Sequence, residues 1–339
     1  MEILNRHIID DTKDILHLYV GFEPSKSPSI GYLSLLKVLA DLIKSKRYQT
    51  TILIADVHVI MGKGIEMRKG IKERIFYYQF ILTTILKALG VDKTQYSFKL
   101  GSSFQLETDY MFNLMSLMAV MRVSDAKKAV SEVIKEEKDP ILSTIIYPLM
   151  QIIDEISLDA DVELGGMDQR KIFTASLDFK GRLRNKKTEN DSRIRDLAYI
   201  LNPLIPSLKK GSKMNSSDTK GKIGFLDTDE EIIDKIKGSF CVDGDCDLST
   251  NPCLSIMKYI IYPILGNDTR RFGSTVREGY THSGFASFDH FLLAWAGGEI
   301  KAQSLKADTS KGLIEIVTPI REVLLENIEL YNEAYPVEK

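Results

Sequence analysis

Two hydrophobic periods alternate along the first half of this chain, and their order predicts an α/β fold. Leu16 to Pro24 (LHLYVGFEP) reads as a strand running into a loop of Gly, Pro and Ser. Behind that loop, Leu33, Leu36, Leu39, Ala40 and Ile43 fall at helical spacing. Residues 49–60 (QTTILIADVHVI) are almost unbroken in β-branched and apolar side chains, as a parallel strand covered on both faces should be. A long helical region follows, with Phe76, Phe80, Leu82, Leu86 and Leu89 as its expected core stripe. YSFKLGSSFQ (residues 96–105) predicts a third strand and turn, and helical segments from Leu106 to Lys138 lead to an apolar helix over 141–156. DADVELGG (residues 159–166) is strand-like again. Strands separated by helices in this order predict a parallel sheet with helices on both faces. Beyond Asp227 the spacing is helical throughout (EEIIDKIKGSF, PCLSIMKYIIYPILG, FDHFLLAWAGG), so a helical second domain is expected, with units of 1–222 and 223–339.

The chemistry concentrates between Tyr147 and Ile172. Tyr147, Gln151 and Asp154 recur at i, i+4 and i+7, so a helix puts them on one face. Pro148 suits such a helix in its first turn. Ile145, Ile146, Leu149, Met150, Ile152 and Ile153 surround the three with apolar groups. An ionised Asp154 must therefore find a partner or raise its pKa. Gly165 and Gly166 let the backbone approach a neighbour closely, and Gln169 follows at the strand-to-helix junction. In open α/β sheets that junction is where ligands bind. A phenol, two amides and a carboxylate converging on a glycine turn predict a pocket for a small zwitterion with a polar tip.

Composition narrows the class without changing this picture. At 339 residues, 44% hydrophobic and 27% charged, the chain reads as a soluble globular protein of two domains. A net charge of −2 excludes a polybasic nucleic-acid coat protein, though not a local basic face. The run KGRLRNKK (residues 180–187) is either a solvated face or a phosphate contact. Residues 201–227, dense in Pro, Gly, Ser and Lys, predict an exposed loop. No stretch approaches the ~18 apolar residues of a membrane span. The N-terminus has neither a signal-peptide core nor transit-peptide composition. Cys241, Cys246 and Cys253 form no disulfide framework and have no histidines at zinc spacing, so a reducing cytoplasm without a metal site is expected. Asp243, Asp245 and Asp247 imitate a calcium loop, but Leu248 and Leu254 stand where it requires Gly and Glu.

Three pieces then coincide: YVGFEP with SIGY behind it (Ser29 to Tyr32), YPLMQ-x2-D with GGMDQRK, and the lysine-rich KMNSS (Lys213 to Ser217). With ADVH, GSSFQLETDY and NPLIP, they resemble the tyrosyl-tRNA synthetases of the archaeal and eukaryotic cytoplasmic type, from about Tyr19 to the C-terminal helices. The resemblance implies a Rossmann-like class I catalytic domain with a helical insertion, followed by an all-helical anticodon-binding domain. It implies ATP-dependent ligation of L-tyrosine to tRNA(Tyr) through tyrosyl-adenylate, with Mg2+ accompanying ATP, no tightly bound cofactor and a homodimer. Tyr19 and Asp154 would take the phenolic hydroxyl, and Tyr147, Gln151 and Gln169 the ammonium group. Gly21 would leave room for the ring, and Phe104 and Gln105 would line the pocket. Lys213, supported by Ser216 and Ser217, would act on the phosphates, with Ser29, Gly31, Tyr32 and Met214 in the ATP site.

The sequence departs from the family pattern in three places, one of them KMNSS where the second signature often reads KMSKS or KMSSS. Ser29 stands where the family usually has a phosphate-contacting histidine, and Lys26 is shifted by one place in the loop before it. In the C-terminal half Phe272 matches an anticodon-stacking aromatic, whereas Ser304 replaces the aspartate that reads the same base. These departures keep a second reading in view, a paralogue that binds tyrosine or tRNA without efficient adenylation. The sister tryptophanyl enzyme shares the fold, but Tyr19 with Asp154 suits a phenol better than an indole N–H.

Overall fold

The computed structural model describes residues 1–12, 14–133, 139–186, 194–209, 214, 221–266 and 287–336. Six strands form one sheet in the order β1-β6-β5-β2-β3-β4. They are β1 (Glu2–Leu4), β2 (Leu16–Phe22), β3 (Tyr48–Ile54), β4 (Tyr96–Leu100), β5 (Val162–Gly166) and β6 (Ala198–Asn202). The pairs from β6 through β5, β2 and β3 to β4 are parallel, as expected, and β1 closes one edge antiparallel to β6. β1 and β6 were not legible as strands. All five residues of β6 are buried, so AYILN shows no alternation, and β1 has only three residues.

The helices up to β6 are α1 (His7–Asp10), α2 (Gly31–Lys44), α3 (Asp56–Lys63), α4 (Ile71–Ala88), α5 (Thr108–Met118), α6 (Val123–Val130), α7 (Leu142–Ser157) and α8 (Arg170–Lys186). After β6 come α9 (Asp229–Lys237), α10 (Pro252–Ile256), α11 (Tyr262–Leu265), α12 (Phe288–Ala296), α13 (Ala302–Glu326) and α14 (Ile328–Ala334). The C-terminal part is helical among the described residues, as its spacing predicts.

Two local expectations are corrected. The stripe on α4 holds in part: Leu82, Leu86 and Leu89 are buried as expected, but Phe76 is 65% exposed, and Tyr77, Tyr78, Ile81 and Ile85 also turn inward. Tyr77 and Tyr78 are needed inward because α14 packs there, with Tyr331 and Tyr335 edge-on to the Tyr77 ring. Pro148 lies inside α7 rather than in its first turn. It deprives the Thr144 carbonyl of its helical donor, a cost the helix bears because its following turns are buried on all sides.

The sheet separates two cores. One is built on α2 and α4 and continues into the C-terminal helices through Ile256, Ile260, Trp295 and Val317. The other joins α5 to α8 through Leu117, Ile152, Phe173 and Tyr199. Among the described residues no helix is long and apolar enough to cross a membrane.

Candidate active site

The last residues of the parallel strands β2, β5 and β6 (Phe22, Gly166 and Asn202) border a cavity of about 330 Å³. That size is ordinary for a small-molecule site. Tyr19, Gly21, Tyr147, Gln151, Asp154 and Gln169 line it, and so do Ser29, Gly31, Tyr32 and Met214. The residues expected around an amino acid and those expected around a nucleotide therefore share one space.

Asp154 is fully buried on α7. Its Oδ1 accepts from Gln105 Nε2 at 2.7 Å and Tyr110 Oη at 2.9 Å, while Oδ2 has no donor. His58 Nε2 is 3.5 Å from that oxygen and also lacks a partner. Desolvation pushes Asp154 up to about 8, against the pull of the Gln105 and Tyr110 hydrogen bonds. Desolvation also lowers His58 to about 4, so its imidazole is neutral. Tyr19 is 3% exposed, and burial, then Glu163 and Asp154, raise its phenol well above the ordinary value. It stays a neutral donor and acceptor. A carboxyl oxygen without a donor and a buried phenol facing one cavity fit a ligand hydroxyl that donates to the first and accepts from the second.

Phe104 and Gln105 are not among the residues that line this cavity. Gln105 lies behind Asp154 and holds it, and Phe104 packs edge-on to Tyr110, the other residue that holds it. Their part is support. Gly21 lies close against the Tyr19 ring, where a Cβ would come within 3.2 Å of Tyr19 Oη. Gly165 is required, since a Cβ would meet Phe173 Cζ at 2.7 Å.

Three further polar side chains converge as expected. Tyr147 Oη reaches Glu23 Oε2 at 3.5 Å, and its ring stands edge-on to His58 at 4.8 Å. Gln151 Nε2 donates to Glu163 Oε1 at 3.0 Å. Gln169 Oε1 is buried without a partner. Glu23, His58, Lys63 and Glu163 also line the cavity and were not foreseen as site residues. Glu23, His58 and Glu163 did stand in quoted motifs, but only the pairing of β2 with β5, which sets Glu163 opposite Tyr19, brings that acid to the site.

At the SIGY signature, Ser29 is 3% exposed and bridges to Gly224, while Gly31 and Tyr32 open α2. A Cβ on Gly31 would come within 3.4 Å of Ser29 Oγ and 3.8 Å of Met214 Sδ. Tyr32 stacks on Phe22 with centroids 5.6 Å apart, and burial pushes its phenol up to about 12. Lys213, Ser216, Ser217 and Phe272 lie outside the described residues. Ser304 is partly exposed near the start of α13. The basic run begins with a residue that cannot touch phosphate: Lys180 is fully buried, 2.6 Å from Glu155. No group of three or more His, Cys, Asp or Glu that could hold a metal occurs among the described residues.

Comparison with known proteins agrees with this arrangement. The family model described as tRNA synthetases class I (W and Y) matches residues 12–282. The cytoplasmic tyrosine–tRNA ligase of Saccharomyces cerevisiae is 32% identical over 348 aligned positions, covering 99% of this chain and 85% of that one. The tyrosine–tRNA ligase of Natronomonas pharaonis is 30% identical, over 99% and 94% of the two chains. The crystal structure of a tyrosyl-tRNA synthetase from Archaeoglobus fulgidus, complexed with L-tyrosine, superposes with a TM-score of 0.81 at 28% identity, covering 95% of each chain. This chain belongs to the class I tRNA synthetases for tryptophan and tyrosine, among the tyrosine–tRNA ligases.

Proposed function

We propose that this protein activates L-tyrosine with ATP and transfers it to tRNA(Tyr), in the cytoplasm as its eukaryotic relatives are named. One observation carries the reading: the side chains suited to a phenol and an ammonium group line the same cavity as the SIGY signature. The phenolic O–H lies between Tyr19 and the donorless oxygen of Asp154, and the ammonium group lies among Tyr147, Gln151 and Gln169. The tyrosine carboxylate then attacks the α-phosphate of ATP held over Ser29, Gly31, Tyr32 and Met214, and pyrophosphate leaves. No protein nucleophile is needed, because positioning and charge stabilisation supply most of the rate in such a step. Lys213, Ser216 and Ser217 serve the phosphates, with magnesium carried by the nucleotide. Residues 1–222 form the catalytic unit, and 223–339 supply the anticodon contacts, with Phe272 and Ser304 among them.

Tyrosine-dependent ATP–pyrophosphate exchange, run beside tryptophan and followed by tRNA charging, tests this. Exchange with tyrosine alone is expected, and exchange with tryptophan alone would overturn it. Ser29 favours a second reading, a module that binds tyrosine or tRNA without adenylation. No exchange with either amino acid, from a chain that still binds tyrosine, is the outcome that selects it.

A homodimer belongs to the same proposal. Phe112, Met115 and Met118 are 71%, 59% and 43% exposed at i, i+3 and i+6 of α5, and Ile141 and Leu142 are exposed at the start of α7. Apolar exposure on one helix face suits a partner surface. Sedimentation at micromolar concentration should show a dimer that Met115→Asp dissociates, whereas a monomeric wild-type protein would contradict it.

A further inference from the structure

At the wall of the cavity two buried acids come close together. Glu163 on β5 is 2% exposed, and Glu155 on α7 is fully buried. The Oε2 of Glu155 accepts from Ser176 Oγ at 2.7 Å, Lys180 Nζ at 2.6 Å and Tyr199 Oη at 2.9 Å. Its Oε1 has no donor. Glu163 Oε1 accepts from Gln151 Nε2 at 3.0 Å, and its Oε2 likewise has no donor. Gln151, which donates to Glu163, stands one turn before Glu155 on α7, and Tyr199, which donates to Glu155, pairs with Glu163 across β5 and β6, so the two acids face each other. One proton between them satisfies both orphaned oxygens at once, and it reduces the charge to one carboxylate beside one lysine.

Chemistry decides which acid keeps that proton. Glu155 already accepts from three donors, one of them an ammonium group. Glu163 has only the amide of Gln151. Burial and the neighbouring Glu155 both raise Glu163, which agrees with this assignment.

We infer that Glu163 is a positioning residue: its neutral carboxyl donates to Glu155, accepts the N–H of Gln151, and so turns the carbonyl of Gln151 towards the ligand's ammonium group. The inference rests on the reading of Gln151 as an ammonium-binding residue. An amide side chain can present either its carbonyl or its NH₂ to a ligand, and only the carbonyl can accept from an ammonium group. The relay runs from Lys180 through Glu155 and Glu163 to Gln151, and each link fixes the donor direction of the next. Neither the charge of Glu163 nor any contact between it and the ligand is required.

The test compares Glu163→Gln with Glu163→Ala by calorimetric titration of tyrosine and of 3-(4-hydroxyphenyl)propionate, which lacks the ammonium group. Glutamine reproduces the neutral acid, with a carbonyl for Gln151 and an N–H for Glu155. Its tyrosine dissociation constant should stay within about twofold of wild type, whereas alanine should weaken tyrosine by about tenfold or more. The propionate should bind both variants as it binds wild type, which a general loss of pocket structure would not allow. Glutamine losing as much as alanine, or both ligands losing equally, would overturn the inference. If the alanine variant does not fold, the glutamine variant decides alone, and a tenfold loss there is enough to reject it. A wild-type chain that binds no tyrosine removes the functional reading and this one together, while unchanged tyrosine affinity in Glu163→Ala removes only this one.

Discussion

Asp154→Ala should lower kcat/KM for tyrosine by about 100-fold or more and remove most of the preference over phenylalanine, with the KM for ATP little changed. The size follows from two losses at one place. A hydrogen bond to a charged or strongly polarised group contributes roughly 1.5–3 kcal/mol, and the ligand hydroxyl left unpaired costs a further ~1–3 kcal/mol. Each 1.4 kcal/mol is about tenfold. Phenylalanine loses nothing, since it never made the contact, so the preference falls from the tyrosine side. Steady-state exchange kinetics with both amino acids reads the result. Equal damage to tyrosine and ATP would contradict the role given to Asp154. The same residue makes stability depend on pH. Its folded pKa of about 8 lies above the ordinary value of 3.8, so the folded state holds a proton that the unfolded state has released between those limits. Stability should therefore fall as pH rises from about 4 to about 8, and Asp154→Asn should lack that part of the slope. A wild-type melting temperature that gains on the variant over this range would show that the carboxyl is not held neutral in the empty pocket.

Lys213→Ala should reduce the rate of tyrosyl-adenylate formation by about 10²–10³-fold and leave the tyrosine dissociation constant nearly unchanged. Removing one preorganised charge from a developing phosphate transition state has that order of effect. Tyrosine binds through Tyr19, Tyr147, Gln151, Asp154 and Gln169 in this account, none of which needs the KMNSS lysine. Single-turnover kinetics separates the two quantities, because it reads binding and chemistry independently. A large loss of tyrosine affinity with an intact rate would place Lys213 in the wrong subsite.

The sequence announced the parts whose signals are local. The strand runs around Tyr19 and Ile52 and the i, i+4, i+7 face of Tyr147, Gln151 and Asp154 are written in consecutive residues, and all of them reach one cavity. What stayed hidden depends on which elements touch. Tyr77 on α4 faces inward against Tyr331 and Tyr335, more than 200 residues away in sequence. Gln105 and Tyr110 are the two donors on Asp154 only because the segment after β4 packs against α7. Lys180 reads as the head of a basic surface run, yet α8 turns it inward to Glu155, a partner 25 positions away that no sequence period pairs with it. Charged residues are almost never fully buried unless paired, so composition alone points the wrong way there.

A crystal structure of this chain with L-tyrosine shows most directly what occupies the space between Tyr19 and Asp154. The phenolic oxygen should lie within hydrogen-bond distance of Tyr19 Oη and Asp154 Oδ2, with the ammonium group facing Tyr147, Gln151 and Gln169. A tyrosine bound in the opposite sense, or in a different cavity, would contradict the account.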